Sequence, residues 1–182
     1  MLDVRRLAWG RPLATRMTLQ WFTTRRIVLI ALAVVFSGPL LSIAIVIFVA
    51  QPVRNQGTGM LPSLRDGDRL MINKMTRTFD RGEVVVFRFP RDVAKSMIKR
   101  LVAKDGDTIE IRGGAVYLNG SPLNEPYVDP EFNQSSRDYG PEVVPPGHVF
   151  VLGDNRDHSN DSRYWGMLPA HLIYGRVWFH YG

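Results

Sequence analysis

Between Ile27 and Ala50 the chain runs for twenty-four residues, IVLIALAVVFSGPLLSIAIVIFVA, without a charged side chain. A hydrocarbon core about 30 Å thick is crossed by roughly 20 residues of helix, so this run is long enough to span a bilayer. A buried helix of a soluble domain of that length would carry a polar face, and this run has none. Ser37, Gly38 and Pro39 interrupt it, and the proline removes one helical hydrogen bond, which predicts a kink. A cleavable secretory signal also pairs a basic start with an apolar run. This run exceeds the usual apolar length, however, and Ala50-Gln51-Pro52 is a poor small-residue cleavage site. An uncleaved anchor is therefore expected.

Charge fixes its direction. Residues 1–26 hold Arg5, Arg6, Arg11, Arg16, Arg25 and Arg26 against Asp3 alone, while the remainder carries 17 basic and 16 acidic residues. Positive residues stay in the cytoplasm, so the expected order has three parts. Residues 1–26 form a basic cytoplasmic N-terminus, 27–50 a transmembrane anchor in the cell membrane, and 51–182 an exported domain. All but one unit of the net charge of +6 thus belongs to one end. No basic stripe lies on the body, which excludes nucleic acid as the expected partner. A tethered exported domain implies contact with membrane lipid and a partner at the membrane surface. The absence of cysteine rules out disulfides, thiolate metal sites and a cysteine nucleophile.

After Pro52 the sequence consists of short β-branched and aromatic runs divided by Gly, Pro, Asn and Asp. Strands are predicted at Arg69–Lys74, Glu83–Phe89, Met97–Ala103, Thr108–Arg112, Ala115–Leu118, His148–Leu152 and Ile173–His180. Gly113-Gly114 reads as a two-residue hairpin turn, and Asn119-Gly120 as a second turn. Ser121–Pro146 reads as a Pro- and Asp-rich excursion. The expected class is mainly antiparallel β, preceded by one transmembrane helix.

Three segments could carry chemistry. Gly57-Thr58-Gly59-Met60-Leu61-Pro62-Ser63-Leu64, followed by Asp66-Gly67-Asp68, reads on spacing alone as a glycine-rich turn entering a strand. In Ser96-Met97-Ile98-Lys99-Arg100-Leu101-Val102 a lysine lies inside a largely apolar strand. Most such lysines point to solvent, but a desolvated one has a lowered pKa and can act as a general base. The stretch from Gly153-Asp154-Asn155-Arg156 to Trp165-Gly166 is a dense polar loop. Asp157, Ser159 and Asp161 lack the glycine and distal glutamate of a calcium loop. A structural network pairing Arg163 with Asp154, Asp157 or Asp161 is the plainer reading. His148, His158, His171 and His180 show no metal spacing, so neither metal nor cofactor is expected.

Taken in order, these segments resemble the bacterial type I signal peptidases, which use a serine-lysine dyad. The resemblance runs through Met60-x-Pro62-Ser63-Leu64, Asp66-Gly67-Asp68, Arg81-Gly82-Glu83, Ile98-Lys99-Arg100, Gly106-Asp107 and Gly153-Asp154-Asn155-Arg156 to Trp165-Gly166. It implies an endopeptidase that removes signal peptides from exported precursor proteins. Lys99 then matches the general base, Ser159 the serine that orients it, and Asp161 with Arg163 a supporting charge pair. Met60, Leu61 and Met97 are expected beside the substrate, which the family binds as an added strand.

The departure is at the nucleophile. The family's serine precedes the Met of Met-x-Pro, and here that residue is Gly59. The family's oxyanion-binding hydroxyl falls at Gly57. If 57–59 is extended, Thr58 points to the opposite face from residues 57 and 59 and is a poor substitute nucleophile. Three readings stay open: a peptidase working through Thr58, another hydroxyl or a lysine-activated water; an inactive relative that binds signal-peptide-like segments or assists assembly of exported proteins; and a serine misread or replaced to leave an inert trap.

Overall fold

In the computed structural model of the chain, residues 29–30, 32–35, 37–38, 49–134 and 137–181 are described. The chain divides into two compact units, Met1–Val46 and Ile47–Gly182. In the first, the described residues between 29 and 38 are helical, and Leu29, Ile30, Leu32, Val34 and Val35 are exposed. Most of the expected span at 27–50 lies outside the described residues. Among the described residues no helix is long and apolar enough to cross a membrane. The expected end of the span is corrected: Ala50 opens a strand.

The second unit is antiparallel β. A seven-stranded sheet comprises β1 (Ala50–Arg54), β2 (Arg69–Asn73), β3 (Val84–Phe89), β4 (Asp92–Lys104), β9 (His148–Leu152), β10 (Leu168–Pro169) and β11 (Ile173–His180). Their spatial order is β1-β2-β11-β3-β4-β9-β10. A four-stranded sheet comprises β5 (Thr108–Arg112), β6 (Ala115–Leu118), β7 (Ser121–Pro122) and β8 (Tyr139–Val143), in the order β7-β6-β5-β8. Gly113 and Gly114 close the β5–β6 hairpin at φ +52° and +84°, the left-handed pair that matches strand twist. Asn119 and Gly120 do the same for β6–β7.

Seven strands fall where the residue pattern puts them. β1, β7, β8 and β10 were not expected. β7 and β10 have two residues each, too short for a period of two, and β8 runs Tyr-Gly-Pro-Glu-Val with turn-forming residues inside it. The Ser121–Pro146 excursion therefore supplies two strands of the smaller sheet.

β4 is the spine of the unit. Its thirteen residues pair with β3 from Asp92 to Arg100 and with β9 from Arg100 to Lys104. Val102 and Ala103 meet Ile109, Ile111, Val116, Phe150 and Leu152 in the core that joins the sheets. Leu101 turns to a second cluster with Val85, Phe87, Val151 and Ile173. Met60, Leu64 and Leu70 make a third. Because β9 begins pairing only at Arg100, the edge of β4 away from β3 has no strand partner from Asp92 to Lys99 among the described residues. β1 likewise pairs on one side only, with β2.

Candidate active site

Lys99 lies opposite Val85 at the last residue of the open edge of β4. Its side chain is buried, with 7% of the residue exposed. Burial pushes its amine below the ordinary value of 10.5; Asp161 and Asp154 oppose that shift and Arg163 adds to it. The strand thus holds a lysine that loses its proton more easily than a surface amine.

Gly59 stands across from it. The backbone there is not in the left-handed region, and a Cβ built on Gly59 would lie 3.1 Å from Lys99 Nζ, 3.6 Å from the His158 carbonyl oxygen and 3.7 Å from Ser159 Cα. Gly57 differs: its φ is +86°, it is exposed, and nothing lies within 4 Å of its Cβ position. Its N–H donates to Asp66 Oδ1 at 2.7 Å.

Residues 57–60 form a bend and a turn, not the extended segment that the alternation expectation required. The reason is local bonding. Leu61 N–H donates to the Thr58 carbonyl at 3.2 Å, and Leu64 N–H to the Met60 carbonyl at 2.8 Å. Thr58 is exposed and does not line the cleft that Gly59 and Lys99 share.

That cleft has a volume of about 300 Å³. One side is Val53–Gln56 at the end of β1, another is Ser96–Lys99 on the open edge of β4, with Gly59, Met60, Val86 and Tyr174 between. No acidic residue lines it. Met60 and Met97 line it, although Met60 is also core at 1% exposure. Leu61 is half-buried and does not line it.

The polar loop closes the back of the site. Asp161 caps the one-turn helix Ser162–Trp165 and forms a buried pair with Arg163, Nε to Oδ1 at 2.8 Å and Nη2 to Oδ2 at 2.9 Å. Of the partners open to Arg163 in the sequence, this is the one it takes. The other Asp161 oxygen contact, from Gly153 N–H at 3.0 Å, folds the loop back on itself. Ser159 is buried beside this, and its Oγ makes no hydrogen bond, to Lys99 or to any other group among the described residues. A Cβ at Gly153 would fall 2.1 Å from that Oγ and 2.3 Å from the Gly59 carbonyl oxygen. Only glycine permits so close an approach of loop, serine and turn.

Other residues of the site escaped sequence reasoning. Asn155 ties the turn to the loop: its Nδ2 donates to the Thr58 carbonyl at 3.1 Å, its N–H to the Gly59 carbonyl at 3.3 Å, and its Oδ1 accepts from His158 N–H. Arg100 pairs bidentately with Asp154, and Arg156 with Glu125. Asn155 and Arg156 sit in a polar run that marked the loop without marking their tasks. Glu125, thirty-one residues from its partner, carried no signal. Among the described residues no three His, Asp or Glu side chains are grouped to hold a metal.

Residues 21–181 match the family model described as signal peptidase, peptidase S26. The chain is 40% identical over 162 residues to a probable signal peptidase I-1 of Synechocystis, across 79% of this chain and 80% of the relative. It is 35% identical over 140 residues to a signal peptidase I of Bacillus amyloliquefaciens, across 70% of this chain and 72% of that one. A crystal structure of a signal peptidase I from Enterococcus faecalis superposes with a TM-score of 0.50 at 31% identity, covering 54% of this chain and 96% of that one.

Proposed function

The chain belongs to the signal peptidase family S26, and from that premise we propose that it acts on exported precursors as a membrane-anchored signal peptidase I-like endopeptidase, with Lys99 as general base. One observation carries this reading: the Lys99 amine faces the very point, 3.1 Å away, where a side chain at residue 59 would begin. The signal peptide adds as a strand along the open edges of β1 and β4, where unpaired backbone groups give affinity and Met60 and Met97 select small residues. Ser159 bounds the site beside residue 59 without a hydrogen bond to the amine, and the Asp161–Arg163 pair holds the loop that carries Ser159. The amine takes a proton from the attacking oxygen, and the tetrahedral intermediate collapses as the mature N-terminus leaves with that proton.

The attacking oxygen is not carried by residue 59. In the chain as given it belongs to a water that Lys99 deprotonates, because the exposed Thr58 hydroxyl is outside the cleft. A second reading, binding without cleavage, is favoured by the same glycine: no acyl-enzyme forms where there is no hydroxyl.

The anchor lies in the run that starts at Ile27 and ends before the strand that Ala50 opens, with 1–26 cytoplasmic and the strand domain exported. The uncharged run and the exposed apolar residues between Leu29 and Val35 support this. Exposed Trp178, Phe179 and Tyr181 are suited to a lipid surface.

The test is cleavage of a purified precursor by the chain as given, by Gly59→Ser and by Lys99→Ala. Slow cleavage abolished by Lys99→Ala, and raised by orders of magnitude in Gly59→Ser, is expected. Precursor binding with no cleavage until serine is introduced would establish the second reading. No binding and no cleavage by any variant would sink both.

A further inference from the structure

The excursion that follows β7 reaches the loop behind the site through a buried ion pair. Glu125 presents both carboxylate oxygens to Arg156, which donates from Nη1 at 3.1 Å and Nη2 at 2.7 Å. The two side chains are 9% and 2% exposed. The remaining edge of the guanidinium is also committed, with Nε donating to the Gly153 carbonyl at 3.0 Å.

Gly153 is the residue whose backbone packs against Ser159 Oγ and the Gly59 carbonyl with no space for one more carbon. Its N–H is fixed by Asp161 and its C=O by Arg156. A guanidinium can aim one edge at Gly153 only while its other edge is held, and Glu125 does the holding.

Two residues further on, Tyr127 donates its hydroxyl to Glu125 Oε1 at 2.8 Å. Burial, aided by the Glu125 charge, pushes its phenol up, so it stays a donor. Its ring centre lies 3.9 Å from the guanidinium carbon of Arg100, the residue after Lys99, which is itself paired with Asp154. The segment thus grips an arginine on each side of the lysine: one in the loop behind it, one in its own strand.

We propose that Glu125 is a positioning residue for this site, setting the Gly153 backbone through Arg156 and thereby the packing that buries Lys99 beside Ser159 and Gly59. A buried ion pair is weak grounds for stability, since desolvation offsets much of its attraction. Its geometric value here is large, because Gly153 has no slack. Without the carboxylate, Arg156 is left buried and unpaired, swings toward water and releases the loop. Water then reaches Lys99 and its amine regains an ordinary pKa.

The proposal takes from the functional reading only that Lys99 is the working amine, and its first readout needs no catalysis. Trace acetylation of the full chain in detergent micelles with acetic anhydride is followed across pH, each lysine being quantified by mass spectrometry. In the parent chain Lys99 has a midpoint below the ordinary lysine value of 10.5. Glu125→Gln moves the Lys99 midpoint up toward the ordinary lysine range. Glu125→Asp, which keeps the charge but shortens the reach, moves it part of the way. A folded variant of either kind with the Lys99 midpoint unmoved overturns the proposal.

The second readout is made in Gly59→Ser chains. There Glu125→Asp lowers kcat by about 10- to 100-fold, as small misplacements of reacting groups do, with KM unchanged. An unchanged kcat also overturns it. If Gly59→Ser cleaves nothing, the catalytic reading fails while the acetylation result still decides this one.

Discussion

At the scale of single residues, the two glycines in the place of hydroxyl-bearing positions are not equivalent. Gly59 has ordinary backbone angles and faces an amine at the distance where the flexible end of Lys99 shifts by a few tenths of an ångström to admit a side chain. Gly57 sits at φ +86°, where an L side chain is strained. Gly59→Ser is therefore expected to melt close to the parent, and Gly57→Ser to lose about 1–2 kcal/mol in chemical denaturation. Equal losses at both positions would contradict this account.

Lys99 gives the residue scale a pH dependence of definite sign. Burial holds its folded pKa below the ordinary 10.5, so the unfolded chain binds the proton more tightly. Stability thus falls as pH drops through 10.5 toward the folded value and is level below it. Lys99→Met removes the proton site while keeping the packing. It is expected to raise the Tm at pH 7, and the gain is expected to shrink as pH passes above the ordinary lysine range. A gain of the same size at all pH values would show that packing, not charge, is responsible. The proposed cleavage has the opposite use for the same shift: the neutral amine it favours is the form that accepts a proton, so activity is expected to rise with pH through the folded value.

Among the elements, β4 and the 153–161 loop do the positioning. β4 carries Lys99 at the point where its pairing changes from one neighbour to two, so the lysine is held firmly while the edge before it has no strand partner among the described residues. The loop is held from inside by the Asp161–Arg163 pair, 0% and 1% exposed at the side chains. Removing one partner of such a pair strands the other charge. Arg163→Ala is expected to destabilise the domain by about 3–5 kcal/mol, read from urea denaturation midpoints. A loss below about 1 kcal/mol would mean that water reaches Asp161 without cost.

Elements were legible in the sequence to the extent that they have a period. β5, β6, β9 and β11 alternate or run apolar between turn residues, and their bounds follow from composition. β8 contains Gly140 and Pro141 and pairs because β5 is beside it, which no local pattern records. The turn at 57–60 is closed by its own backbone bonds and pinned by Asp66 and by Asn155, the latter ninety-seven residues from the carbonyl it holds, and the residue pattern records none of these bonds.

For the molecule as a whole, the proposed topology makes a direct prediction, because the chain has no cysteine of its own. Single cysteines at Thr15 and at exposed Glu131 can be probed in intact spheroplasts with a membrane-impermeant maleimide. Glu131→Cys is expected to be labelled at once and Thr15→Cys only after lysis. Labelling of both, or the reverse pattern, would overturn the signal-anchor orientation.

By itself the sequence determined the family, the β class, the uncharged run on which the proposed anchor rests and the lysine on which the proposed catalysis rests, since each depends on residue types at fixed spacing or on patterns local in the chain. It also determined that residue 59 bears no hydroxyl. Tertiary structure alone decided that Gly59 and Lys99 face each other, that Arg163 chooses Asp161, that Asn155 clasps the turn, and that Glu125 reaches the site from the excursion beyond β7. The physical reason is the range of the forces involved. Propensity and periodicity act between neighbours along the chain, whereas desolvation, ion pairing and the close approach of backbones act between whatever the fold has made adjacent.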